Sequence, residues 1–250
     1  MQDKIQKAAS ILIRAKNGMA FTGAGISVES GIPPFRGEEG IWNKYDPKYL
    51  EISYFLTDPI NSWQVIKKVF YDHFGEAVPN GAHYFLADLE KKGIIKALVT
   101  QNIDNLHQEA GHQNVLEFHG NTRQLICLDC GKIYSRKVVY EQDIPLCDYC
   151  HGLLKPDFIF FGEAIPEPAG SQSFQFAMKS DAVLIIGSTG EVMPACNVPY
   201  YAKQNGATII EINPEESNFT KNITDIFLQG KASEICEELA LELDTKYFGK

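Results

Sequence analysis

The chain has 250 residues, 44% of them apolar, enough for one large globular unit carrying a smaller insert. A formal net charge of −9 excludes coating nucleic acid by bulk positive charge, so direct nucleic-acid binding is not expected. No apolar run is long enough for a membrane span, and residues 1–16 mix Lys and Asp into their apolar positions; a cytoplasmic protein with no membrane partner is expected.

In chain order, Ile5, Ala8, Ala9 and Leu12 fall at helical spacing over residues 2–16, and Gly18 is placed to terminate that helix. Residues 19–22 read as a short buried strand entering a glycine-rich turn and then a helix. Residues 33–79, rich in proline and aromatics, read as irregular structure with helices. A helix is expected over 82–92, with Ala82, Phe85, Leu86 and Leu89 on one face, feeding a strand over 94–100. Further strands are expected over 115–118, 182–187, 207–213 and 225–228. The end is helical, with Ala232, Ile235, Cys236, Leu239 and Leu243 in phase.

Strands alternating with helices imply an α/β fold with a parallel sheet covered on both faces. The expected division is a sheet domain from residues 1–32, 80–122 and 157–250, with a smaller inserted lobe expected from residues 33–79, which include helices, and 123–156, which carry four cysteines.

Cys127 and Cys130 form one Cys-x-x-Cys pair and Cys147 and Cys150 another, sixteen residues on. Two thiolates on each tight turn can reach one tetrahedral ion, which predicts a single structural zinc with no open coordination position. Four unrelated thiols or a redox pair are the plainer alternative. His151 is read as an exposed neighbour rather than a ligand, and Cys196 and Cys236 as core.

The turn Gly23-Ala24-Gly25-Ile26-Ser27 follows a strand, where backbone can approach a pyrophosphate. The dehydrogenase fingerprint fails, however: Val28 replaces the third glycine, and no ribose-binding acid ends a second strand about 20 residues later. Taken alone, the turn is a weak signal.

The longer stretch Gly23-Ala24-Gly25-Ile26-Ser27-Val28-Glu29-Ser30-Gly31-Ile32-Pro33-Pro34-Phe35-Arg36-Gly37 closely resembles the signature segment of sirtuins. So do Thr100-Gln101-Asn102-Ile103-Asp104-Asn105-Leu106-His107, Phe118-His119-Gly120, the four cysteines, Phe160-Phe161-Gly162-Glu163, Gly187-Ser188-Thr189 and Ile212-Asn213-Pro214-Glu215, in the family's order.

That resemblance implies that the sheet domain is a Rossmann-like NAD-binding domain and the small lobe a helical module with a zinc ribbon module. It also implies that the chain is an NAD-dependent protein-lysine deacylase in which NAD is a consumed co-substrate and acyl-lysine proteins or peptides are the partners. The products would be free lysine, nicotinamide and O-acyl-ADP-ribose. His119 matches the general base, and a strand-end imidazole has an ordinary pKa suited to that task. Gln101, Asn102, Ile103 and Asp104 match the nicotinamide and ribose region. Gly23, Ala24, Gly25, Ile26, Ser27, Phe35 and Arg36 map onto the NAD loop, with Phe35 shielding the reactive ribose carbon. Gly187, Ser188, Asn213, Glu215 and Lys231 match positions around adenosine, and Phe161, Gly162 and Glu163 the acyl-peptide strand. A protein mono-ADP-ribosyltransferase and a non-catalytic NAD-binding module are the alternatives.

Some positions depart from the family. Pro34 stands where Asp or Thr is usual, Thr189-Gly190 replaces the common Ser-Leu, and Glu191 and Met193 replace more apolar residues. These changes bear on peptide selection. Ile66 and Val69 align with the Tyr-x-x-Arg pair that binds acidic acyl groups, so neutral acyl groups are expected; Lys67 and Lys68 lie close by.

Overall fold

A computed structural model describes residues 1–35, 40–72 and 77–248. Helix α1 (Gln2–Arg14) buries the expected stripe of Ile5, Ala8, Ala9 and Leu12. It ends earlier than Gly18, at an extended Ala15, because Asp181 takes the chain over: its carboxylate accepts from the N–H groups of Lys16 at 2.7 Å and Asn17 at 3.1 Å. Gly18 instead opens β1 (Gly18–Thr22), which is buried along its whole length. After β1 the chain forms a 3-10 stretch, Ala24–Ser30, rather than the α-helix expected there, and Gly31 stops it at φ +88°.

The following elements are α2 (Ile52–Thr57), α3 (Pro59–Ile66), α4 (Gly81–Lys91), β2 (Ile95–Thr100), α5 (Leu106–Glu109) and β3 (Val115–Glu117). Then come β4 (Gly120–Cys127), β5 (Ile133–Ser135), α6 (Val138–Glu141), β6 (Leu154–Phe158) and α7 (Ala169–Lys179). The chain closes with β7 (Ala182–Ile186), α8 (Asn197–Gln204), β8 (Thr208–Asn213), α9 (Asn218–Asn222), β9 (Ile226–Gln229) and α10 (Ala232–Leu243).

Six strands pair in parallel in the order β3-β2-β1-β7-β8-β9. Such strands read as continuous apolar runs because both faces are covered. In β1, Ala20 joins the cluster formed with α1, α4 and α10, whereas Met19 and Phe21 join the one formed with α7 and α8. The order reverses direction between β1 and β7. In open α/β sheets that switch point opens the crevice where ligands bind, at the carboxyl ends of the strands.

A second, antiparallel sheet in the order β5-β4-β6 carries the cysteines. It shares a separate apolar cluster with the helical segment, in which Trp63, fully buried, donates from Nε1 to the Leu154 carbonyl at 3.1 Å. Each fully buried aliphatic or aromatic side chain there contributes about 1.5–3 kcal/mol, and the buried Trp63 joins the two inserted segments into one lobe. Among the described residues no helix is long and apolar enough to cross a membrane.

Candidate functional site

The residues singled out along the sequence converge on the switch point. Gly23 and Gly25, after β1, lie against Gly187, after β7: a Cβ on Gly25 would fall 2.6 Å from the Gly187 Cα. The close approach that requires glycine here is loop against loop, which brings the ends of β1 and β7 together. Gly25 N–H donates to the Gly187 carbonyl at 2.9 Å and closes the contact.

Ser27 is the hub of a buried polar cluster. Its hydroxyl donates to Asp104 Oδ2 at 2.7 Å and accepts from Asn102 Nδ2 at 3.1 Å. His83 Nε2 lies 3.5 Å from the same oxygen. His83 Nδ1 accepts from the Asn80 N–H at 3.3 Å, so Nε2 carries the proton and donates to Ser27. Burial lowers the His83 pKa to about 4, keeping the ring neutral, and burial raises that of Asp104 against the pull of its Ser27, Leu106 and Asn102 hydrogen bonds. Behind them, His107 Nε2 meets Thr22 Oγ1 at 2.9 Å, and the rings of His83, His107 and His112 pack in sequence, 4.9 and 5.6 Å apart.

His119 stands two residues beyond β3 and is partly buried. Its Nδ1 lies 3.0 Å from the Gln101 carbonyl oxygen. A carbonyl only accepts, so Nδ1 carries the proton and Nε2 is left as the basic nitrogen. Burial lowers the pKa of His119, partly opposed by that hydrogen bond. Gln101 also reaches the other way, donating from Nε2 to Ser188 Oγ at 2.9 Å. Asn213 Nδ2 donates to the Ser188 carbonyl at 3.1 Å. His119, Gln101, Ser188 and Asn213 therefore form one connected rim along the strand ends. Ile103 instead faces the small lobe and belongs to its apolar cluster.

Other expected residues stand apart from this rim. Glu215 is exposed, and Lys231, exposed as well, makes an ion pair of 3.5 Å with Glu234. Phe35 packs on Trp42 and Phe70, with ring centroids 5.5 and 6.2 Å away. Arg36 lies outside the described residues. Phe161 is 48% exposed and Gly162 has φ +92°, but the Glu163 carboxylate turns inward, accepting from Phe160 N–H at 2.7 Å and pairing with Lys155 at 3.0 Å.

Sequence reasoning passed over Lys155 and His83. Lys155 is 4% exposed and donates to the carbonyls of Pro156 and Phe158 and to Glu163, so all three ammonium protons are used. A lysine between apolar neighbours at the start of a short strand was the available signal. For His83, it was the Asn80-x-x-His83 spacing at a helix start, which here forms a reciprocal cap.

The departure at Gly190 has a physical basis. Its φ is +71°, and a Cβ there would fall 3.1 Å from the Phe219 ring. Leucine, the residue usual in sirtuins, does not fit against this α9.

In the small lobe the four cysteine sulfurs lie within 4.8 Å of one another, with Cys127 and Cys150 3.4 Å apart and Cys130 and Cys147 3.7 Å apart. Zn–S bonds of about 2.3 Å in a tetrahedron set sulfurs about 3.8 Å apart, so the set fits one ion. Both knuckles have the same backbone. Gly131 N–H donates to the Cys127 carbonyl and His151 N–H to the Cys147 carbonyl, each at 3.0 Å. Both residues take positive φ, +72° and +59°. His151 is thus the left-handed turn residue of the second knuckle, in keeping with its reading as a non-ligand.

The Sir2 family model matches residues 23–194. An NAD-dependent protein deacylase of Pyrococcus abyssi is 43% identical over 246 residues, covering 96% of this chain and 98% of its own. Among solved structures, one described under the structural basis for the mechanism and regulation of Sir2 enzymes superposes with a TM-score of 0.90. It is 42% identical and covers 98% of this chain and 99% of its own. A histidine-to-alanine Sir2 variant with a deacetylated p53 peptide and 3′-O-acetyl-ADP-ribose superposes with a TM-score of 0.91, at 33% identity over 95% of this chain and 98% of its own.

Proposed function

The chain belongs to the Sir2 family, and on that premise we propose that it removes acetyl or other neutral acyl groups from protein lysines, consuming NAD and releasing nicotinamide and O-acyl-ADP-ribose. The observation that carries this reading is His119: an imidazole tied at Nδ1 to the Gln101 carbonyl, with Nε2 basic, beside the switch-point crevice. A related solved protein carries a deacetylated peptide together with acetyl-ADP-ribose, and the P. abyssi relative is named a deacylase.

NAD enters as co-substrate, supplying an anomeric carbon with nicotinamide as leaving group, while the acyl oxygen of the lysine attacks. His119 then takes the proton of a ribose hydroxyl at Nε2, freeing that oxygen to add to the acyl carbon. A water adds at the same carbon, whose bond to the lysine nitrogen breaks, and the amine leaves with a proton. Asn102 and Asp104, held by Ser27, orient the nicotinamide amide, Phe35 shields the reactive carbon, and Arg36 meets phosphate or ribose. The Gly23 to Ser27 turn lines the phosphates, and Gly187, packed against it, belongs to the adenosine half. Ser188, Asn213, Glu215 and Lys231 serve the adenosine half, and Phe161 and Gly162 the acyl peptide, with Glu163 fixing their turn through Lys155.

Neutral acyl groups are favoured because Ile66 and Val69 are buried among apolar side chains, 0% and 4% exposed. Lys68 is exposed and lies over the Tyr45 ring, and Lys67 donates to the Gln142 carbonyl. Cys127, Cys130, Cys147 and Cys150 hold one structural zinc, whose closed thiolate shell supplies folding energy. The cytoplasm, where thiols stay reduced, suits such a site.

The test is incubation with an acetyl-lysine peptide, with and without NAD, following peptide mass and nicotinamide. NAD-dependent loss of acetyl, abolished by His119→Ala, supports the reading. Nicotinamide release with ADP-ribose appearing on protein would instead indicate a transferase. NAD binding without turnover would indicate a regulatory module.

A further inference from the structure

Glu211, in β8, is fully buried between neighbours that are apolar. Its Oε1 accepts from Asn213 Nδ2 at 2.8 Å and Ser217 Oγ at 2.5 Å, and its Oε2 from Thr220 Oγ1 at 2.8 Å and Thr224 Oγ1 at 2.6 Å. An ionised carboxylate only accepts and has about four lone-pair sites, so four neutral donors saturate it. None of the four is a cation. A buried carboxylate costs several kcal/mol unless satisfied in this way, and a hydrophobic residue would serve the strand as well.

The donors indicate what the carboxylate organises: Asn213 ends β8, and Ser217, Thr220 and Thr224 belong to the segment that follows it. Ser217 caps α9, accepting from the N–H groups of Phe219 and Thr220. From α9, Asn218 N–H donates to the Thr189 carbonyl at 3.0 Å. Asn213 is the more informative partner. Its Nδ2 serves two groups that can only accept, Glu211 and the Ser188 carbonyl, which fixes which end of its amide is nitrogen. Oδ1 is left as the acceptor for a ligand hydroxyl.

We propose that Glu211 is a positioning residue for the adenosine-ribose end of the dinucleotide, holding Asn213 in one amide orientation and the Ser188–Gly190 loop in place against α9. It rests on the reading above that Asn213 and Ser188 serve that end. Its reach extends along the rim, because Ser188 Oγ accepts from Gln101, whose carbonyl accepts from His119.

Glu211→Gln keeps the shape but places an NH2 where an oxygen was, so the Asn213 amide can turn over. Calorimetry with ADP-ribose is expected to show binding weakened about tenfold, with KM for NAD raised in parallel and kcat and KM for the acyl peptide near wild type. Thr224→Val removes one donor without touching Asn213; it is expected to lower Tm and leave ADP-ribose affinity unchanged. In an Asn213→Ala background, Glu211→Gln is expected to add nothing. Glu211→Asp keeps the charge but withdraws it by one methylene, and is expected to weaken binding in the same direction if the Gln variant does not fold. Unchanged ADP-ribose affinity in both the Gln and Asp variants, or equal weakening by Thr224→Val, would overturn the proposal. Wild-type protein that binds no ADP-ribose would overturn the dinucleotide reading beneath it as well.

Discussion

Gln101 holds His119 by its backbone, not its side chain: the carbonyl accepts from Nδ1 at 3.0 Å, while the side-chain amide donates to Ser188. One residue thus fixes the tautomer of the base and ties it to the loop after β7. Because the main chain supplies the contact to His119, substitution of Gln101 leaves it in place. Gln101→Ala is therefore expected to weaken NAD binding more than it changes the pH profile, as separate measurements of KM and of kcat/KM against pH will check.

His119→Ala is expected to lower kcat/KM by about a hundred- to ten-thousandfold while ADP-ribose still binds. Burial lowers the pKa of His119 below the ordinary 6.5. The base form therefore persists into mildly acidic solution, and activity is lost only as pH falls through the lowered value. A kcat/KM profile whose acid limb lies at or above 6.5 would count against His119 as the base.

The buried histidines set an acid limit on stability. His83 titrates near 4 in the folded chain against 6.5 when exposed, and burial also lowers His107 well below its ordinary value. Between those values the unfolded chain binds more protons than the folded one, so stability is complete above about 6.5 and falls as pH drops toward 4. His83 alone accounts for a loss on the order of 3 kcal/mol. Denaturant midpoints between pH 7 and pH 4 should fall accordingly, and less steeply in His83→Gln.

Gly25→Ala tests the loop contact. The new methyl would sit 2.6 Å from the Gly187 Cα, and backbone must move to admit it. A folded protein with stability lowered by about 1–3 kcal/mol of strain and NAD affinity reduced at least about tenfold is expected. Wild-type affinity in this variant would show that the two loops need not touch for binding.

Metal analysis should find one zinc per chain, lost in Cys147→Ala together with Tm on the order of 10 °C. Because the thiolate shell is closed, replacing zinc by cadmium or cobalt should leave kcat within about twofold. A large change in kcat would place the metal in the chemistry.

The sequence by itself determined the parallel sheet and the four-cysteine cluster. Those features depend on local periodicity and spacing: β7 is a continuous apolar run and β1 nearly one, and each Cys-x-x-Cys pair closes its own knuckle. It also determined that His119 and Asn102 follow strands in an order shared with a known family. Tertiary structure decided which partners these residues have. Asp181 ends α1 from more than 160 residues away, where Gly18 had been expected to do so. Ser27 gathers Asn102, Asp104 and His83 from 56 or more residues away, and Gln101 reaches Ser188 across 87. No local pattern encodes these contacts. A buried polar group must be satisfied by whatever the sheet brings beside it, and that neighbour is fixed by strand order, not by distance along the chain.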